Sequence, residues 1–167
     1  MQFTAHLKAT GPLFAKGPEL VQHNLDAFVE EVVQMLEREI KELTPQGVYG
    51  LRGAGLLNSI GHTITGRGSK HVRGVIGTPQ PYGEFVERGR RPGKMPPQGV
   101  LLRWVEVKLG LSGKEAQRVE YLIRRKIGQK GTAGAAMFAK GLLENLPRIE
   151  QISRRYELKT TVDLNGQ

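Results

Sequence analysis

Residues Glu19 to Leu43, ELVQHNLDAFVEEVVQMLEREIKEL, decide how this chain folds. Val21, Leu25, Phe28, Val29, Val32, Leu36, Ile40 and Leu43 recur at steps of three and four residues, the spacing of one face of an α-helix. At a rise of ~1.5 Å per residue the helix is roughly 37 Å long. Its polar residues include Glu30, Glu31, Glu37 and Glu39. An apolar stripe of that length needs a sheet or another helix to cover it. Thr44-Pro45 ends the periodicity.

On the N-terminal side, residues 2–8 alternate, with Phe3, Ala5 and Leu7 on one side, which predicts a short strand before a loop marked by Gly11, Pro12, Gly17 and Pro18. On the C-terminal side, 44–58 is rich in glycine and reads as a loop. Over 59–78 the alternation returns: Ile60, His62 and Ile64 share one face, Gly66-Arg67-Gly68-Ser69 turns the chain, and Val72, Gly74 and Ile76 share a face on the way back. This is a hairpin. Pro79 and Pro81 end it, and Tyr82, Phe85 and Val86 then fall at the spacing of one helical turn before Gly89.

A basic, Pro-rich loop occupies 88–97, followed by helical sequence over 98–130. Its first helix starts near Gln98, carries Leu101, Trp104, Val105 and Lys108 on one stripe and ends at Gly110. Ser112-Gly113-Lys114-Glu115 has the form of a capping box for a second helix, which holds Val119, Leu122, Ile123 and Ile127 and stops at Gly131. A C-terminal helix is expected over 136–155, kinked or split at Pro147, and the tail 157–167 has the pattern of a strand at Leu158 to Leu164.

The 167 residues suit one domain with a hydrophobic core. No stretch approaches the roughly 18 consecutive apolar residues of a membrane span, and the N-terminus shows no basic region followed by an apolar run, so neither insertion nor export is expected. Without cysteine there is no disulfide, thiolate zinc site or cysteine nucleophile. The formal net charge of +9 is uneven: residues 1–60 hold 5 Lys+Arg against 7 Asp+Glu, and residues 61–167 hold 20 against 9. A C-terminal excess of that size suits a polyanion or an acidic partner protein.

Chemistry-bearing patterns are scarce. His6, His23, His62 and His71 form no helical i, i+4 pair, and only His23 has a nearby carboxylate, Asp26; no metal site is assigned, and His62 and His71 read as satisfied or solvent-exposed. Gly53-Ala54-Gly55-Leu56-Leu57-Asn58 lacks the third glycine of a dinucleotide fingerprint, and 47–55 lacks the Gly-Lys-Ser/Thr of a phosphate loop and follows a helix. There is no Gly-x-Ser-x-Gly elbow. Glu84 and Glu87 beside Arg88, Arg90 and Arg91, like Glu115 and Glu120 beside Lys114 and Arg118, read as surface ion pairs. The expectation is a protein that is not an enzyme and holds no cofactor. The positive signal is three basic clusters: Arg88, Arg90, Arg91 and Lys94; Arg124, Arg125, Lys126 and Lys130; and Arg148, Arg154 and Arg155. They lack the aromatic stacking residues or helix-turn-helix of a sequence reader, which leaves two readings open: contact with a nucleic-acid backbone, or, for the clusters on helices, plain solvated faces.

Tyr82-Gly83-Glu84-Phe85-Val86-Glu87-Arg88-Gly89, directly after the hairpin, resembles the Tyr-Ala/Gly-x-Phe/Tyr-Val/Leu-Glu-x-Gly signature of the tail-completion, or tail-component, proteins of long-tailed bacteriophages. Thr44-Pro45, Leu56-Leu57-Asn58-Ser59-Ile60, Gly131-Thr132, and Met137-Phe138 leading into Ala139 to Asn145 are similar to further segments of that family, in the same order. The chain departs from it at Gly53-Ala54, where Asp-Thr-Gly is common, at Gly141, where the family has Ala, and in its longer middle. The resemblance implies an α+β fold in which a long N-terminal helix packs on a small antiparallel sheet, with additional C-terminal helices. It also implies a virion protein of the neck, assembled in the host cytoplasm. Its subunits form a six-fold ring between head connector and tail tube or terminator, through which DNA passes. On that reading Tyr82, Gly83, Phe85, Val86, Glu87 and Gly89 are signature and packing residues, and Arg88, Arg90, Arg91 and Lys94 contact DNA or an acidic partner. The acidic N-terminal helix and basic remainder of neighbouring copies would meet head to tail. The alternative is a stand-alone basic nucleic-acid-binding protein with a regulatory or packaging role.

Overall fold

The computed structural model describes residues 2–5, 18–48 and 55–165, and its contacts gather into two compact units. The first comprises Met1–Leu43, Ile60–Thr78 and Met137–Gln167; the second comprises Thr44–Ser59 and Pro79–Ala136. The fold is α+β, with the long N-terminal helix on a small antiparallel sheet and further helices towards the C-terminus. Among the described residues no helix is long and apolar enough to cross a membrane.

In the first unit, helix α1 spans Pro18–Leu43. Proline suits its first position, where the missing N–H has no helical partner to lose. Val21, Phe28, Val29, Val32, Leu36 and Ile40 are buried as the spacing requires, joined by Val33 and Met35, whereas Leu43, the last residue of the helix, is exposed. The hairpin is β2 (Gly61–Thr65) with β3 (Arg73–Gly77), His62 opposite Ile76 and Ile64 opposite Gly74. Strand β1 (Gln2–Ala5) pairs antiparallel with the other edge of β3, so the sheet has three strands in the order β1-β3-β2. The expected strand residues 6–8 and the loop glycines that follow lie outside the described residues, as do 49–54 of the Gly-rich stretch.

The sheet reaches α1 closely because β3 carries glycine at its second position. A Cβ on Gly74 would stand 2.2 Å from Val33 Cγ1 and 3.3 Å from Val29 Cγ1. A comparable approach covers another part of α1: helix α6 (Met137–Glu144) contacts it, and a Cβ on Gly141 would lie 2.7 Å from Ile40 Cγ1. The expected C-terminal helix is split. Asn145 donates its side-chain amide to Gly141 O and accepts Ile149 N–H at its carbonyl, ending α6 and opening α7 (Leu146–Asn165), where Pro147 sits in the first turn.

The strand expected at Leu158 to Leu164 is not present: α7 continues as helix to Asn165. Ile149, Ile152 and Thr160 are buried and Tyr156 is half-buried, a helical spacing, while Leu158 and Val162 are exposed. Packing against α1 outweighs the strand preference of the Thr160-Thr161-Val162 run. Phe28 and Tyr156 meet edge to face with centroids 5.9 Å apart, and buried Asn24 donates to Thr160 Oγ1 and Asp163 Oδ2, both at 3.1 Å.

In the second unit, Leu56–Ser59 forms a helical turn, α2, inside the stretch expected to be loop. After α3 (Gly83–Arg88), helix α4 spans Leu102–Leu109; residues 98–101, expected to start it, form a turn. Val105 is fully buried, but Trp104 of the same expected stripe is exposed. Helix α5 (Gly113–Lys130) packs on α4 and starts after Ser112, yet the Ser112 side chain makes no capping hydrogen bond. The next residue, Gly113, takes φ +59°, so the first turn does not present its N–H groups to the serine oxygen.

Substitution of Gly74 by Ala should destabilise the protein by about 1–3 kcal/mol, because Val33 must move within a packed core. A Val33→Ala change in the same chain should recover part of that loss. Urea denaturation of the single and double variants checks both, and an unshifted midpoint for Gly74→Ala would contradict the close approach.

Candidate functional site

The signature turn is built by glycines at close approaches. Gly89 has φ +76°, and a Cβ there would fall 2.3 Å from Thr132 O; one on Gly131, at φ +71°, would fall 2.0 Å from Arg90 O. These contacts allow β4 (Gly89–Arg90) to pair antiparallel with β5 (Thr132–Ala133), a ladder not expected from the sequence. The N–H groups of Ala135 and Ala136 extend it by donating to Val86 O (2.8 Å) and Glu87 O (3.0 Å). Strapped on this side, α3 turns Gly83 and Glu87 inward, leaving Tyr82 43% and Phe85 61% exposed. The expectation that Tyr82 and Phe85 pack therefore fails within the chain: they face outward, while Val86 is half-buried. Glu87, expected in a surface ion pair, is buried; Glu84 does form one, accepting from Arg88 at 3.1 Å.

The basic loop is partly committed. Arg88 is paired with Glu84, and Arg90 donates to the carbonyl of Lys94. Arg91 and Lys94 are exposed, and Gly93 N–H donates to Gly128 O at 2.8 Å, placing the loop beside the last turns of α5.

On α5 the expected cluster divides. Arg124 is buried with Glu120: their charged ends are 3.5 Å apart, and Glu120 also accepts the Gly99 N–H at 2.8 Å. Neither residue is the surface group expected. Four residues apart, they lie on the inward face with Ala116. Arg125, Lys126 and Lys130 remain exposed, joined by Lys114 and Arg118, whose expected ion pairs with Glu115 and Glu120 do not form among the described residues. Tyr121, 49% exposed, lies among them.

The third cluster is neutralised within the first unit. Arg148 pairs with Glu39 at 3.4 Å, Arg155 with Glu31, and Arg154 with Glu150 at 2.6 Å. Glu30 pairs with Arg67 at 3.0 Å, and Glu37 with Lys41 and His62, so His62 is satisfied while His71 is exposed. The hydrogen bond and charge of Arg67 hold Glu30 below the ordinary carboxylate value of 4.5, and Arg155 does the same for Glu31. Burial alone would raise Glu37, but Lys41 and His62 outweigh it and the group is lowered. Glu30, Glu31, Glu37 and Glu39 of α1 are thus engaged inside the chain. Counted by unit, the first holds 12 Lys+Arg against 11 Asp+Glu and the second 13 against 5, so +8 of the net +9 belongs to the second.

Among the described residues no group of three or more His, Cys, Asp or Glu side chains is arranged to hold a metal ion. No known protein family, curated protein or solved structure matches the chain.

Replacing Glu120 by Ala should cost about 3–5 kcal/mol, because Arg124 is left charged and buried without its partner. The paired change Glu120→Leu with Arg124→Met should recover most of it; chemical denaturation of the two variants distinguishes a coupled pair from two independent losses. A separate outcome concerns acid. Carboxylates lowered on folding contribute stability above their unfolded value, which is lost as pH falls through the folded one. The urea midpoint should hold from neutrality down to about pH 5 and fall below it, with a smaller fall in Arg155→Ala.

Proposed function

We propose that the chain is a structural subunit of a bacteriophage neck, a tail-completion or head–tail joining protein that assembles into a six-fold ring between head connector and tail tube. The observation that carries this reading is the order of the motifs, with Tyr82 to Gly89 directly after the hairpin. The exposure of Tyr82 and Phe85 on that turn supports it, since a conspicuous apolar projection from a subunit suits cover by a neighbour. Trp104 and Val107 on α4 add exposed apolar surface in the same unit. The lateral contact is then apolar and heterologous, with Glu30, Glu31, Glu37 and Glu39 of α1 paired inside each copy. The role is mechanical and needs no catalytic group or cofactor. The protein belongs in the virion, with connector and tail proteins as partners and DNA passing through the ring.

The concentration of positive charge in the second unit favours one other reading, a basic nucleic-acid-binding protein that acts alone.

The neck reading predicts six-fold rings in negative-stain images, the protein in purified particles by mass spectrometry, and tailless heads when its gene is disrupted. Phe85→Ser should lower the assembly mass measured by mass photometry while the circular dichroism spectrum stays unchanged. A strictly monomeric chain absent from particles contradicts the reading.

A further inference from the structure

We propose that the outward stripe of α5, formed by Lys114, Arg118, Tyr121 and Arg125 and extended by Lys126 and Lys130, binds the phosphate backbone of duplex DNA without regard to sequence. At 3.6 residues per turn the first four fall within about 60° of arc, and from Lys114 to Arg125 they cover ~16 Å of helix. Duplex DNA presents one phosphate per ~1.7 Å of axis, so a row of this length faces on the order of ten charges. All six side chains are exposed, and among the described residues no carboxylate forms an ion pair with any of them. Glu120 is turned inward onto Gly99 and Arg124, and Glu115, the acid three residues before Arg118, forms no ion pair among the described residues. Glu115 is the one exposed acid on α5.

Two further observations select the ligand. On a second copy of this chain Glu30, Glu31, Glu37 and Glu39 are engaged with cations of their own copy, which leaves scattered exposed acids such as Glu19, Glu42 and Glu157 in place of an acidic row. The stripe continues at its C-terminal end into the loop that bears exposed Arg91 and Lys94, held there by the Gly93–Gly128 hydrogen bond. A row of cations with a tyrosine hydroxyl, flanked on one side by Lys126 and Lys130, suits phosphate oxygens. Outside the cations, the outward face offers little beyond Gln117, Leu122 and Gln129 for reading bases. The choice of DNA as the polyanion rests on the neck reading; the binding itself does not.

The test uses the full chain and a short labelled duplex of arbitrary sequence, followed by fluorescence anisotropy across a salt series. Binding should be tight at low salt and weaken steeply. The triple variant Arg118→Glu, Arg125→Glu, Lys126→Glu should bind at least about tenfold more weakly, with a salt slope shallower by about 2–3. A charge-matched triple in the first unit, Arg38→Glu, Lys70→Glu, Lys140→Glu, should bind nearly as well as the unsubstituted chain, and thermal melts confirm that both variants fold. The site is overturned if the α5 triple binds normally, if both triples weaken alike, or if polyglutamate displaces the duplex at equal charge concentration, which would point to an acidic protein instead. Mass photometry separates the two readings: rings that do not bind DNA overturn this site alone, and a strict monomer that binds through α5 overturns the neck alone.

Discussion

The contact between α1 and β3 at Gly74 is the constraint on which the first unit depends. A helix with so long an apolar stripe has to be covered along most of its length, and a sheet can lie close to it only where the facing strand lacks a side chain. Gly74 provides that against Val29 and Val33, and Gly141 on α6 provides it against Ile40. With both seats occupied, α7 is placed so that Tyr156 meets Phe28 and Thr160 meets Asn24. Arg148 and Arg155 then reach the acids along α1.

This packing governs the electrostatics as well. Four glutamates that make the N-terminal helix acidic in sequence are matched inside the fold by Arg67, Arg148, Arg155, Lys41 and His62. The first unit is left almost neutral, and the second carries the excess. Within the second unit the same sorting occurs on a smaller scale: Glu120 and Arg124 turn inward together, and the five remaining cations of α5 stay in solvent with Glu115 as the one exposed acid of that helix.

The signature turn follows from another pair of glycines. Gly89 and Gly131 permit two backbones to approach where any Cβ would collide, and the resulting ladder fixes which side of α3 is covered. Tyr82 and Phe85 project outward as a consequence. Their exposure comes from backbone geometry two residues or more away from them.

Periodicity in the sequence determined the long helix, the hairpin and its facing residues, the turn at Tyr82 to Gly89 and the break near Pro147, because each depends on a repeat or a breaker read over a few neighbouring positions. The helical end of α7, the pairing of β1 with β3, the β4–β5 ladder and the inward turn of Glu120 and Arg124 were decided only in the tertiary structure. The candidate site divides the same way. The basic clusters are visible as composition, but which cations are paired depends on partners such as Glu31 and Arg155, 124 residues apart. One-dimensional spacing specifies the face a side chain occupies; the group that meets it there is set by how separate elements pack.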